Sequence, residues 1–151
     1  MRGFIRVCQD LALMLARIAT GAILMVHGWT RWSDGQPKQV QILTDLKVPY
    51  PEVFAWGTIA FEVIGGALLV FGLVTPLLGL VLLVEQAMII GFAKWGHGPH
   101  LAQDGYEYNL ALASLGLIFL TFGSGRAGVD ALFRRSPDDR QAHYIDDADP
   151  A

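Results

Sequence analysis

The chain has 151 residues, 53% of them hydrophobic and only 17% charged, with a net charge of −3 and a mean hydropathy of +0.41. Such a composition is too apolar for an ordinary soluble domain, and the length allows one compact unit. The near-neutral charge argues against a nucleic-acid partner; the single cysteine, Cys8, excludes an internal disulfide, a paired-cysteine redox motif and a cysteine-rich metal site.

Arg2 and Arg6 precede an apolar run, as in a signal peptide. Arg17 interrupts that run and no small-x-small cleavage site follows His27, so the first segment is expected to be retained. Residues 1–10 read as an interfacial N-terminal segment. Four hydrophobic segments follow, at about 11–29, 54–74, 77–93 and 108–122. A bilayer core needs roughly 17–25 helical residues, so each is long enough or nearly so. Soluble core helices usually show a polar stripe every turn, and residues 59–74 carry only Glu62. The expected fold is all-α: an integral membrane four-helix bundle over residues 11–123.

The connections agree with this. The first loop, about 30–53, mixes charge with proline, and its residues 39–46 suit a short surface helix. Thr75 is suited to cap the third helix, with Pro76 in its first turn, so helices two and three should form a tight antiparallel hairpin. The third loop, "KWGHGPHLAQDG", is polar and glycine-rich. Its His97 and His100 are too few, and Pro99 too disruptive, to suggest a metal site. Trp29, Trp32, Trp56, Trp95, Tyr50, Tyr106 and Tyr108 gather near one boundary, as an aromatic belt does. Residues 124–135 read as a short interfacial segment anchored by arginines. The acidic tail, 136–151, has little to bury. Arg2, Arg6, Arg126, Arg134, Arg135 and Arg140 on one side outnumber Arg31, Lys38, Lys47 and Lys94 on the other. That bias favours a plasma-membrane protein with both termini cytoplasmic.

The polar residues inside the spans are the candidates for chemistry. At about 1.5 Å per residue, Arg17 lies roughly 9 Å and Glu85 roughly 12 Å from the cytoplasmic face, so the two are placed to pair. Glu62 lies roughly 18 Å deep and His27 roughly 24 Å deep, in the outer half. Arg17 with Glu85 or Glu62 reads equally as a structural ion pair setting the bundle's register. His27 reads equally as a histidine bonded to a backbone carbonyl. Glu62 is the stronger candidate, since a buried carboxyl needs a proton, a partner or a ligand. Glu107 begins its helix, where a negative charge meets the helix dipole favourably.

Several of these stretches resemble the DoxX-type family of small four-helix membrane proteins. "LARIATGAILMVHGWTR" is similar to the family's arginine, glycine, His-Gly and basic residue. "FEVIGGALLVFGLVTP" is similar to its glutamate, paired glycines and glycine–threonine turn. "GYEYNLAL" and "GSGRAGVDALF" are similar to its later motifs. The resemblance runs from about Leu11 to Phe133 and points to Arg17, His27, Gly28, Arg31, Glu62, Gly65, Gly66, Tyr106, Glu107 and Asp130. Glu85-Gln86 and the acidic tail depart from the pattern. The family is named for a relation to the small subunit of an archaeal thiosulfate:quinone oxidoreductase, and the resemblance implies a redox-linked membrane role.

The first functional expectation is therefore a quinone-associated subunit of a larger membrane complex. His27 and Glu62 would bind the ring oxygens and exchange protons, with Arg17, Trp29, Glu85, Tyr106, Glu107 and Tyr108 as ligand contacts. No intrinsic cofactor and no metal are expected, so a partner protein would hold the electron carrier. The second is a non-catalytic scaffold or assembly factor whose buried charges are structural. A third is a small-solute or proton pathway. The expected partners are the lipid bilayer and either other proteins or further copies of the chain.

Overall fold

A computed structural model of the chain describes residues 2–130. Among these residues every regular element is helical and there is no strand. The fold is an all-α membrane bundle. Helix α1 spans Arg2–Asp34, α2 Gln36–Asp45 and α3 Pro51–Ala60; a π-helical turn, Phe61–Gly65, carries α3 straight into α4, Gly66–Phe71. Helix α5, Thr75–Ile89, runs on through a second π segment, Ile90–Lys94, and α6 spans Glu107–Phe122. Phe4–Asp34, Pro51–Phe71 and Thr75–His97 are each long and apolar enough to cross a membrane, and α6 is a shorter apolar helix. Large apolar side chains such as Leu15, Ile64 and Leu117 point outward, as they do when lipid is the solvent. Residues 2–10 form the first turns of α1. No proline interrupts helical bonding there.

The helix 51–71 packs against α1, and α5 packs against α6; α1 also meets α6. The buried core between them is Leu24, Leu69, Leu78, Leu82 and Phe119. Lipid provides no hydrophobic drive for helix association, so close backbone approach matters. A Cβ added to Gly79 would lie 2.5 Å from the Leu120 amide nitrogen and 2.7 Å from the Gly116 carbonyl oxygen.

Residues 72–74 make the tight turn between α4 and α5. The hairpin itself departs from expectation. The two helices pack mainly on α1 and α6 rather than on each other, and they diverge from the turn to leave a cleft between them. The cap of α5 also differs. Thr75 lies inside the helix, and its hydroxyl is buried without a hydrogen-bond partner among the described residues. The carboxylate of Asp130 accepts from the amides of Val74 at 2.7 Å and Thr75 at 2.9 Å. Val74 has a φ of +52°, a rare conformation for a β-branched residue. The Asp130 bonds help hold it there. The Asp130 amide donates in turn to the Gly72 carbonyl at 3.0 Å. Residues 131–135 of the expected interfacial segment, and the tail at 136–151, lie outside the described residues.

Replacing Gly79 with valine is expected to force α5 and α6 apart and cost about 1–3 kcal/mol. Thermal unfolding in detergent checks this. Gly57→Ala, at a position with nothing within 4 Å, is expected to be no less stable than the parent.

Candidate functional site

The buried polar residues separate into two clusters at opposite ends of the bundle. The first is at the turn end. Arg17 is 1% exposed and its guanidinium lies against Gly72 and Gly128; a Cβ on Gly72 would sit 1.7 Å from Nη1. The charge acting on Arg17 is that of Asp130. The Asp10 carboxylate accepts from the Arg126 amide at 3.3 Å, tying the loop after α6 to α1. Arg17 therefore does not pair with Glu62 or Glu85, contrary to the expectation from depth alone. It faces the turn and the loop, while both glutamates belong to the second cluster.

That second cluster forms where α1 and the helix 51–71 touch. A Cβ on Gly28 would be 2.8 Å from Glu62 Cβ and 3.0 Å from the Val63 amide nitrogen. The bare face of Gly28 thus admits the π turn that carries Glu62. Glu62 is 3% exposed, and its Oε1 meets Arg31 Nη1 at 3.2 Å. Arg31 comes from the last turn of α1. His27, one turn before it, bonds the Ile23 carbonyl through Nδ1 at 2.9 Å and stacks on Tyr108 at 5.9 Å. From the other side, Asn109 Nδ2 donates to Gln86 Oε1 at 2.8 Å, and Gln86 Nε2 donates to Glu85 Oε2 at 3.2 Å. A polar line therefore runs from α6 through α5 to Glu85. Two oxygens in the cluster, Glu62 Oε2 and Glu85 Oε1, are buried with no hydrogen-bond partner among the described residues.

Two cavities meet at this cluster. A small one of about 30 Å³, lined by His27, Arg31, Glu62, Gln86, Tyr108 and Asn109, has the volume of about one water. A much larger cleft, about 840 Å³, opens between the diverging helices beneath α2. Its walls are apolar, including Phe54, Phe61, Val84 and Met88, and Arg31 and Glu85 line it as well. Arg31 lines both spaces, so it stands between the large cleft and the small pocket. Both helices facing the cleft contain a π segment, a distortion that recurs at functional sites because it re-aims side chains.

Of the sequence-predicted site residues, Glu62, His27 and Tyr108 line the small pocket, and Glu85 joins them through Gln86. The other four are elsewhere. Arg17 is at the turn end, and Trp29 is 66% exposed on the outer surface of α1. Tyr106 stacks on Trp95 at 5.9 Å. The Glu107 carboxylate accepts from the Leu101 amide at 2.6 Å, closing the loop before α6. Three residues at the centre were outside the candidate list. By sequence Arg31 falls in the first loop, although the family resemblance points to it; it belongs to the last turn of α1. Gln86 and Asn109 are amides inside apolar runs, and that isolation was the available signal.

Among the described residues no group of three His, Cys, Asp or Glu side chains is placed to hold a metal ion. The DoxX family model matches residues 12–95, more than half of the chain and all three long spans in large part. The chain belongs to the DoxX family. A Bacillus subtilis (strain 168) protein named "Putative oxidoreductase CatD" is 29% identical over 108 residues, which is 72% of this chain and 78% of that protein. No solved structure matches. The residues at the centre of the polar cluster in this DoxX protein fall partly inside the matched region, with Tyr108 and Asn109 beyond it.

Removing one partner of a buried ion pair leaves the other charge unpaired. Arg31→Met is therefore expected to cost about 3–5 kcal/mol, and the Arg31→Met/Glu62→Leu double variant to recover most of it. A thermal-unfolding double-mutant cycle measures this. In the loop before α6, the hydrogen bond from Lys94, and then its charge, hold the Asp104 carboxyl below its ordinary 3.8. The pair's contribution is thus present above pH 3.8 and is lost as pH falls through the lowered value. Lys94→Met is expected to return Asp104 toward its ordinary value, read by carboxyl-carbon NMR titration.

Proposed function

We propose that this DoxX-family membrane protein is a quinone-associated, redox-linked subunit of a larger membrane complex. The proposed setting is the plasma membrane, with both termini cytoplasmic. The observation that carries the reading is the cleft: about 840 Å³ of mainly apolar space with Arg31, the partner of buried Glu62, on its wall. Ligand sites are typically concave and apolar with a few placed polar groups, at volumes of about 300–1,000 Å³. A quinone ring fits such a wall, and its prenyl tail fits the opening between α3 and α5. The relative named as an oxidoreductase points the same way.

A bound quinone would carry the electrons. The chain's own part is to bind the ring, exclude water and exchange protons at the ring oxygens. Arg31 is a donor on the cleft wall, and Glu62 holds it in position. The line Glu85–Gln86–Asn109 holds the Glu85 carboxyl in place on the cleft wall. A flavin or metal on a partner protein would supply the electron path. The scaffold reading also has an observation in its favour. Arg17 is enclosed by Gly72 and Gly128, so one of the intramembrane charges does structural work.

Purification in mild detergent followed by native mass spectrometry is expected to find quinone near one per chain. Glu62→Gln is expected to remove it and leave the protein folded. Quinone retained unchanged in that variant overturns the role of Glu62. Ordinary lipid alone in both proteins favours the scaffold.

A further inference from the structure

Three cations line the cleft: Arg31, Lys38 and Lys94. Arg31 belongs to the last turn of α1, Lys38 to the first turn of α2, and Lys94 ends the π segment that continues α5. These positions are at the ends of the spans Phe4–Asp34 and Thr75–His97, the level at which lipid head groups lie. A basic pocket there, beside a large apolar space, is the ordinary form of an anionic-lipid site. A cleft open to the bilayer is in constant contact with lipid, so what keeps lipid out decides what else can bind.

The pairing of the three cations reverses that first expectation. Lys38 Nζ meets Asp34 Oδ2 at 2.7 Å, Lys94 Nζ meets Asp104 Oδ1, and Arg31 Nη1 meets Glu62 Oε1 at 3.2 Å. Each cation on the wall is thus matched by its own carboxylate. Asp34 reaches Lys38 across Gly35, from the last residue of α1 to the first turn of α2. Asp104 comes from the loop before α6. The remaining charged residue on the wall, Glu85, is bonded to Gln86 and attracts no anion whether or not it carries a proton. An anionic head group entering the cleft would lose water and meet no uncancelled cation, a desolvation penalty that nothing offsets. An uncharged ring does not face that penalty. Asp34 and Asp104 are both exposed, where an ion pair adds little stability. Their effect on the charge of the cleft is the larger one.

We infer that Asp34 and Asp104, together with Glu62, set the specificity of the cleft: by cancelling its three cations they keep anionic lipid out and leave it to an uncharged amphiphile. This rests on the quinone reading above and adds to it what excludes the molecules that surround the site.

The test uses the full chain in phosphatidylcholine nanodiscs carrying a small fraction of photoactivatable lipid. Two probes share one diazirine-bearing tail; one has a phosphatidylglycerol head group and the other phosphatidylcholine. Cross-linked peptides are read by mass spectrometry, with a short-chain ubiquinone as competitor. In the parent, phosphatidylglycerol is expected to label the wall at residues 80–94 within about twofold of phosphatidylcholine, and ubiquinone to suppress both. The Asp34→Asn/Asp104→Asn variant frees both lysines. It is expected to fold, since both pairs are exposed and Asp104 has a φ of +60°, a conformation asparagine accepts. Its phosphatidylglycerol labelling is expected to rise about tenfold over phosphatidylcholine and to fall back in high salt. Adding Lys38→Met and Lys94→Met is expected to restore the parent ratio. A parent that already takes phosphatidylglycerol about tenfold more strongly overturns the exclusion, and the quinone reading stands if ubiquinone displaces it. A folded double variant with the parent's ratio removes Asp34 and Asp104 from the role. Ubiquinone that suppresses neither probe in the parent overturns the quinone reading itself, while the ratio of the two lipids still decides the exclusion.

Discussion

The carboxylate of Glu62 and the guanidinium of Arg31 meet at 3.2 Å, with Glu62 only 3% exposed. An ionised carboxylate in lipid is costly unless a cation comes with it. Much of the open end of the bundle is arranged to satisfy that need. Helix α1 has to continue to its last turn for Arg31 to be in place. Gly28 has to lack a side chain for the Glu62 turn to come close. The π turn at Phe61–Gly65 then sets Glu62 toward α1. An otherwise regular apolar helix carries its one irregular turn at its one buried charge.

The two ends of the bundle meet the same electrostatic problem in different ways. At the turn end, Arg17 is packed against glycines, and Asp130 spends its carboxylate on the first amides of α5. Those amides have no partner within their own helix, and the acceptor comes from a loop more than fifty residues later. This end is closed. At the other end the same two helices have separated, so the paired polar residues lie beside a cleft that Arg31 and Glu85 line. A tight turn combined with divergence gives a space closed at its base and open along its side. That geometry suits a ligand arriving from the bilayer.

The amides refine this picture. Gln86 and Asn109 are buried and satisfy each other across α5 and α6. Each alone in an apolar helix would be an unpaired polar group; together they link the helices and orient Glu85. Small membrane bundles rely on such contacts because burial of apolar surface gives little drive for helices to associate in lipid. The glycine contacts between α5 and α6 are the apolar counterpart of the same device.

Helical class, membrane character and family were legible in the chain because they depend on local properties. Long apolar runs, a few punctuating residues and short ordered motifs are enough to specify them. Glu62 and His27 stood out for the same reason, as polar residues where lipid excludes them. The partners of those residues were not legible. Depth along a helix axis paired Arg17 with the glutamates, but it contains no information about rotation around that axis. Arg31 was read as a loop residue because its position places it past the first apolar run. Its side chain reaches back along α1, which only the packed helix reveals. Local sequence points to neighbouring Thr75 as the cap of α5, whereas the acceptor is the distant Asp130. What each helix is follows from its own residues. Which charge meets which, and where a cleft opens, depends on helix rotation and divergence, and these are set by contacts between residues far apart in the chain.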